Sequence, residues 1–193
     1  MAAGILATTM SYLDEQGRYR AEQGRPDPAF AGDETTTLIG FLERQRATLA
    51  WKCGGLDSTG LRKPIGTASM TLGGVLKHLA RFEDDMSTEW LQAQEQRPPW
   101  NAVDWDAEHD WDWRTAADDS PEELYGMWRD AVDRSRALFA EATAGGPERR
   151  ASDESPTLRY ILLNMIEEYA RHNGHADLLR ESVDGLVGND PPD

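Results

Sequence analysis

Apolar residues recur at three-, four- and seven-residue intervals in four stretches of the chain, and each stretch predicts an amphipathic helix. The first carries Leu38, Phe41, Leu42 and Leu49 behind a candidate N-cap, Asp33, with Glu34 in the first turn, and it stops at Gly54-Gly55. The second starts near Thr71 and runs through Leu72, Val75, Leu76, Leu79, Phe82, Met86 and Trp90. The third opens on Ser120-Pro121-Glu122-Glu123, which combines a serine cap, a proline at the first helical position and a glutamate three residues after the cap. It continues through Leu124, Met127, Trp128, Ala131, Val132, Leu138 and Phe139 to Gly145-Gly146-Pro147. A second Ser-Pro pair, Ser155-Pro156, predicts the start of the fourth, which carries Leu158, Ile161, Leu162, Met165, Ile166, Tyr169, Ala176 and Leu179 and ends near Asp184-Gly185. No strand pattern competes with these helices, and no internal repeat is evident.

Four long amphipathic helices predict an all-α fold, a four-helix bundle with a long loop between helices two and three. The bundle spans residues 33–185, behind an N-terminal arm at 1–32 broken by Gly24, Pro26 and Pro28, and is followed by a flexible tail at 186–193. In the long loop Trp100, Trp105, Trp111 and Trp113 are interleaved with Asp104, Asp106, Glu108, Asp110 and Asp112, and His109 lies among them. Such an excursion is either a lid or binding loop, or a crossover whose rings pin it to the bundle.

Length and charge narrow the function classes. A chain of 193 residues suits one domain with a sizeable core. Its formal charge of −15 opposes binding to phosphate backbones or anionic lipid, so neither nucleic acid nor a membrane surface is expected as a partner. Arg heavily outnumbers Lys, a habit of high-GC coding. The single cysteine, Cys53, permits no intramolecular disulfide and points to the cytoplasm, and its place beside Gly54-Gly55 reads as packing rather than nucleophilic. No run is long enough to span a bilayer. Met1 to Met10 lacks a basic leader and reads as an upstream-start extension, with Met10 as an alternative initiator.

The unusual chemistry lies in Glu167-Glu168-Tyr169-Ala170-Arg171-His172-Asn173-Gly174-His175-Ala176-Asp177. At roughly 100° per residue, Glu168 and His172 fall inside the apolar arc of the last helix and His175 at its edge, whereas Glu167 and Arg171 face elsewhere. A carboxylate in that arc needs a cation, a proton or a metal, because losing its hydration is costly. The four-residue spacing puts Glu168 beside His172, where both could reach one ion, although the same spacing is common on solvated helices. His78 sits at the margin of the second helix's apolar stripe, as either a hydrogen-bonded boundary residue or a third ligand. Two imidazoles and a carboxylate from facing helices would suit zinc and leave a fourth position open, the arrangement of catalytic rather than structural sites.

The helical layout, together with Thr71-Leu72-Gly73-Gly74-Val75-Leu76-Lys77-His78-Leu79 and the Glu168 to Asp177 segment, resembles the DinB superfamily over roughly Asp33 to Gly185, in the branch called mini-circle proteins. In that superfamily a histidine on helix two and a four-apart pair on the last helix hold a divalent metal. Most members have histidine at both places of the pair. Glu168 departs from this and is similar to the His, Glu and His set of the mycothiol-dependent maleylpyruvate isomerases. The resemblance therefore implies His78, Glu168 and His172 as metal ligands, with His175 in the outer shell or substrate pocket. His175 or Tyr169 would relay protons. The additional C-terminal domain of those isomerases has no counterpart here, so isomerisation itself is not implied.

What the resemblance implies is a transferase that uses a divalent metal, zinc or a similar ion, and a low-molecular-weight thiol such as mycothiol against an electrophile. A homodimer is a further family-level expectation. Two other readings stand beside it. The same open site could serve metal-assisted hydrolysis, or a non-catalytic bundle could bind a partner through its acidic, Trp-rich loop.

Overall fold

A computed structural model describes residues 12–20 and 25–191; the Met1 to Met10 segment, read above as an extension, lies outside them. The helices are α1 (Glu34–Cys53), α2 (Ser58–Leu61), α3 (Leu72–Asp84), α4 (Trp111–Thr115), α5 (Pro121–Thr143) and α6 (Leu158–Asp184). The four long ones form the bundle, with α1 against α6, α3 against α5, and α3 also against α6. Among the described residues the only strand-like pairing is an isolated antiparallel bridge between Leu13 and Tyr19.

The predicted caps operate as local chemistry requires. Asp33 accepts from the Thr36 amide, Thr71 from the Gly74 amide, and Ser120 forms a reciprocal capping box with Glu123. The start of the last helix is a correction: Thr157, not Ser155, is the cap, and its hydroxyl accepts from the Tyr160 amide. Thr157 directly precedes the first buried apolar residue, Leu158, so its hydroxyl is the one within reach of the first turn. Helix two reaches Trp90, as the spacing predicts, but changes form on the way. It runs on past α3 as a π-helical turn, Asp85–Trp90, that the three- and four-residue spacing does not signal.

Apolar side chains of α1, α3, α5 and α6 fill the centre, with Leu42, Leu49, Leu76, Leu79, Ile161 and Met165 fully buried, while Phe41 of the predicted stripe is exposed. A polar network crosses this centre. Arg46 of α1 gives two hydrogen bonds to Glu83 of α3, at 2.7 and 2.5 Å, and a third to Ser135 of α5 at 2.9 Å. Glu83 also accepts from Tyr169 of α6 at 2.6 Å, and Tyr169 accepts from Trp128 of α5 at 2.9 Å. Every long helix thus contributes a side chain whose partners exist in only one register, since breaking a buried pair leaves an uncompensated charge.

The loop between helices two and three is pinned. Trp100 is fully buried with its indole N–H on Asp84, and Trp105, Trp111 and Trp113 pack against the core. Of the two readings of that loop, the rings therefore support the crossover held by aromatic pins. The tail to Asp190 is also held: Lys52 donates to the Gly188 carbonyl at 2.7 Å and Trp51 to that of Asn189 at 3.1 Å. The arm packs through buried Tyr12 and Leu13. No helix among the described residues is long and apolar enough to cross a membrane.

Candidate metal centre

α3 and α6 are adjacent, and their facing sides carry His78 on one and Glu168 and His172 on the other. Glu168 Oε1 lies 3.1 Å from His78 Nε2 and 3.1 Å from His172 Nε2. Candidate donor atoms of the three residues all fall within 4.8 Å of one another, the one such group of three among the described residues. Ligand bonds of about 2.0–2.1 Å to a tetrahedral ion set neighbouring donor atoms about 3.3 Å apart. The two separations through Glu168, 3.1 Å each, lie close to that demand, and the donor set, two imidazoles and one carboxylate, suits zinc.

The outer contacts fix how each ring points. His78 Nδ1 is 2.9 Å from Oδ2 of Asp112, which is fully buried on α4 and whose Oδ1 accepts from the Trp113 amide at 3.0 Å. A carboxylate can only accept, so Asp112 keeps a proton on Nδ1 and turns Nε2, the nitrogen beside Glu168, to the centre. His172 has its Nε2 toward Glu168 and its Nδ1 3.4 Å from Nδ1 of His175. Trp113 stacks on His78 with centroids 4.5 Å apart at 24°, and its ring is 5.3 Å from that of His172. Gly74 makes room for it, because a Cβ there would lie 2.9 Å from the indole.

The electrostatics follow from these contacts. Hydrogen bonds from His172 and His78 hold the Glu168 carboxyl well below the usual carboxylate range, against the opposing effect of burial. Burial opposes charge on His78, but Asp112 and Glu168 outweigh it and raise its pKa. Burial likewise opposes charge on Asp112, yet His78 and Arg81 hold it below its ordinary value. His175 is lowered by burial and by the neighbouring His172, which keeps its ring neutral. A cavity of about 490 Å³ opens on His78 and Glu168 and extends along the π-helical turn to Trp90 and Trp105.

The structure thus brings His78, Glu168, His172 and His175 together and leaves Tyr169 out. Tyr169 is fully buried, its hydroxyl bound between Glu83 and Trp128, and the relay expected of it is not supported by this placement. Cys53 is buried too, and burial pushes its thiol up to about 12 despite Arg180, so it is no nucleophile. Sequence reasoning missed Asp112 and Trp113. Their one signal was an acid flanked by two tryptophans, Trp111-Asp112-Trp113, in a loop where many acids are similarly placed.

A search of the curated proteins returns no match. A family model does match, described as mycothiol-S-transferase, and the match covers residues 37–185, from the first turns of α1 through the glycine that caps α6. That span holds most of the chain and all three members of the trio, and the chain belongs to the mycothiol-S-transferase family, within the DinB-like superfamily.

Proposed function

We propose that the protein joins mycothiol, through its sulfur, to an electrophile at a divalent ion held by His78, Glu168 and His172. The observation that carries this is the convergence of both Nε2 atoms on Glu168 Oε1 at 3.1 Å, at one end of an open cavity, in a chain of this family. An ion of the zinc type bound by three protein groups offers an open position that acidifies a thiol and makes it a nucleophile near neutral pH.

The chain's own residues do the rest. Asp112 holds His78 in the tautomer that presents Nε2, and Trp113 fixes the plane of that ring. His175, neutral at Nδ1, accepts the Nδ1–H of His172 and orients it in the same way from the far side. Glu168 supplies a negative charge to the centre, which leaves a sulfur there more electron-rich than three neutral imidazoles would. Phe82, Trp90 and Trp105 give the cavity an apolar side against which the body of the electrophile would rest.

The test is mycothiol consumption with a panel of electrophiles, using protein as purified, stripped with chelator, and resupplied with zinc. Thioether formation that disappears on stripping and returns with the ion is expected. Equal rates in all three preparations would remove the basis of the proposal, and loss of electrophile without sulfur incorporation would point to hydrolysis instead.

A further inference from the structure

The charges around the cavity define which electrophiles it can take, an inference that rests on the transferase reading above. His78 and Glu168 stand at one end, and Phe82, Met86, Trp90 and Trp105 supply apolar wall. About 490 Å³ is room for a compact aromatic molecule. Among the described residues only one permanent cation, Arg81, lines this space, and its charge is already engaged. Its guanidinium lies over the Trp105 ring at 3.5 Å, its Nε is 3.2 Å from Asp85 Oδ2, and its Nη1 is 3.6 Å from Asp112 Oδ2. Asp85 and Glu89 line the same space, and Glu89 also borders a second hollow of about 810 Å³ that includes Glu95.

Position along the helix decides what those carboxylates meet. Asp85 and Glu89 follow His78 by seven and eleven residues, which sets Asp85 roughly 10 Å along the axis and Glu89 further still. They therefore face the end of a bound molecule that is remote from the reacting atom. We propose that the electrophile has an apolar body whose far end is neutral or cationic, and that a negative charge there is rejected by Asp85 and Glu89. Arg81 does not offset this: its single charge is shared between Asp85 and Asp112, and among the described residues Glu89 has no cation paired with it, so the wall stays net negative.

Three benzylic chlorides test the charge alone: 4-nitrobenzyl chloride, 4-(chloromethyl)phenyltrimethylammonium and 4-(chloromethyl)benzenesulfonate. In each, the thiol S–H is lost as a proton to solvent, an S–C bond forms, and the C–Cl bond breaks with chloride leaving. With metal-loaded protein and mycothiol, and each rate divided by its uncatalysed rate, the neutral and cationic probes are expected to exceed the sulfonate by about tenfold or more in kcat/KM. Glu89→Gln combined with Asp85→Asn should narrow that gap. A sulfonate used within about twofold of the nitro compound would overturn the inference.

Equilibrium binding of the unreactive 4-nitrotoluene and toluene-4-sulfonate, followed by tryptophan fluorescence, separates the two claims. Preference for nitrotoluene without turnover of any chloride would overturn the transferase reading and keep the charge selectivity. Equal or tighter binding of toluene-4-sulfonate would overturn the selectivity whatever the turnover.

Discussion

His78 donates its Nδ1–H to Asp112 Oδ2 across 2.9 Å, so a side chain from the Trp-rich crossover determines which nitrogen helix two offers to the centre. An outer partner of this kind typically changes metal affinity by about 10- to 100-fold when removed. Asp112→Ala should therefore weaken zinc binding by about that factor in competition with a chromogenic chelator. His78→Ala should abolish stoichiometric binding. An Asp112→Ala protein that binds zinc as tightly as wild type would show that the contact positions nothing.

Gly74 gives a prediction of opposite sign to helix propensity. Replacing a helical glycine with alanine, even in the first turn where Gly74 lies, ordinarily stabilises by up to about 1 kcal/mol. Here the added Cβ would meet the Trp113 ring at 2.9 Å, and overpacking of this kind costs about 1–3 kcal/mol. Gly74→Ala should lower the melting temperature and, by moving Trp113 off His78, shift the tryptophan emission. A rise in melting temperature with unchanged emission would contradict the close packing.

Tyr169 belongs to the core network, and its removal should be felt in stability and not in chemistry. Tyr169→Phe leaves Glu83 and the Trp128 indole each short of a partner, which costs about 1–3 kcal/mol for buried groups. Denaturant titration should record that loss while kcat for thioether formation stays within about twofold of wild type. A large fall in kcat with unaltered stability would restore the relay role.

Acid sensitivity should come from Glu43. Burial would raise its pKa, but Arg46 and Arg136 overcome this and hold it at about 2, below its ordinary 4.5. A depressed carboxyl stabilises fully above its unfolded value and loses that contribution as pH falls through the folded one. The contribution of this group to stability should thus be steady above about pH 4.5 and be lost toward pH 2, on the order of 3 kcal/mol. Comparing wild type with Glu43→Gln in urea titrations between these limits checks it. A variant with the same pH dependence as wild type would place the acid sensitivity elsewhere.

The bundle was legible in the sequence because its helices follow local rules: Asp33, Thr71 and Ser120 cap the helices they introduce, and the apolar intervals mark their inner faces. The relation of Glu168 to His172 was legible for the same reason, being set within one helix. His78 could be joined to them only through helix packing, which the family resemblance supplied. What stayed hidden depends on contacts distant in the chain. Asp112 looks like its acidic neighbours until α4 docks on α3. Tyr169 sits next to Glu168, yet one residue turns it by about 100°, toward Glu83 and Trp128 and away from the centre. The carbonyls of Gly188 and Asn189 accept from Lys52 and Trp51, partners about 136 residues earlier that no local pattern reveals.

The central claim is that one ion is shared by residues 78, 168 and 172. Elemental analysis of the protein as purified, beside Glu168→Ala and His172→Ala prepared identically, tests it most directly. One equivalent of a divalent metal per wild-type chain and loss of most of it in each folded variant is the predicted result. Wild-type protein without bound metal, or variants that keep the full equivalent, would contradict it.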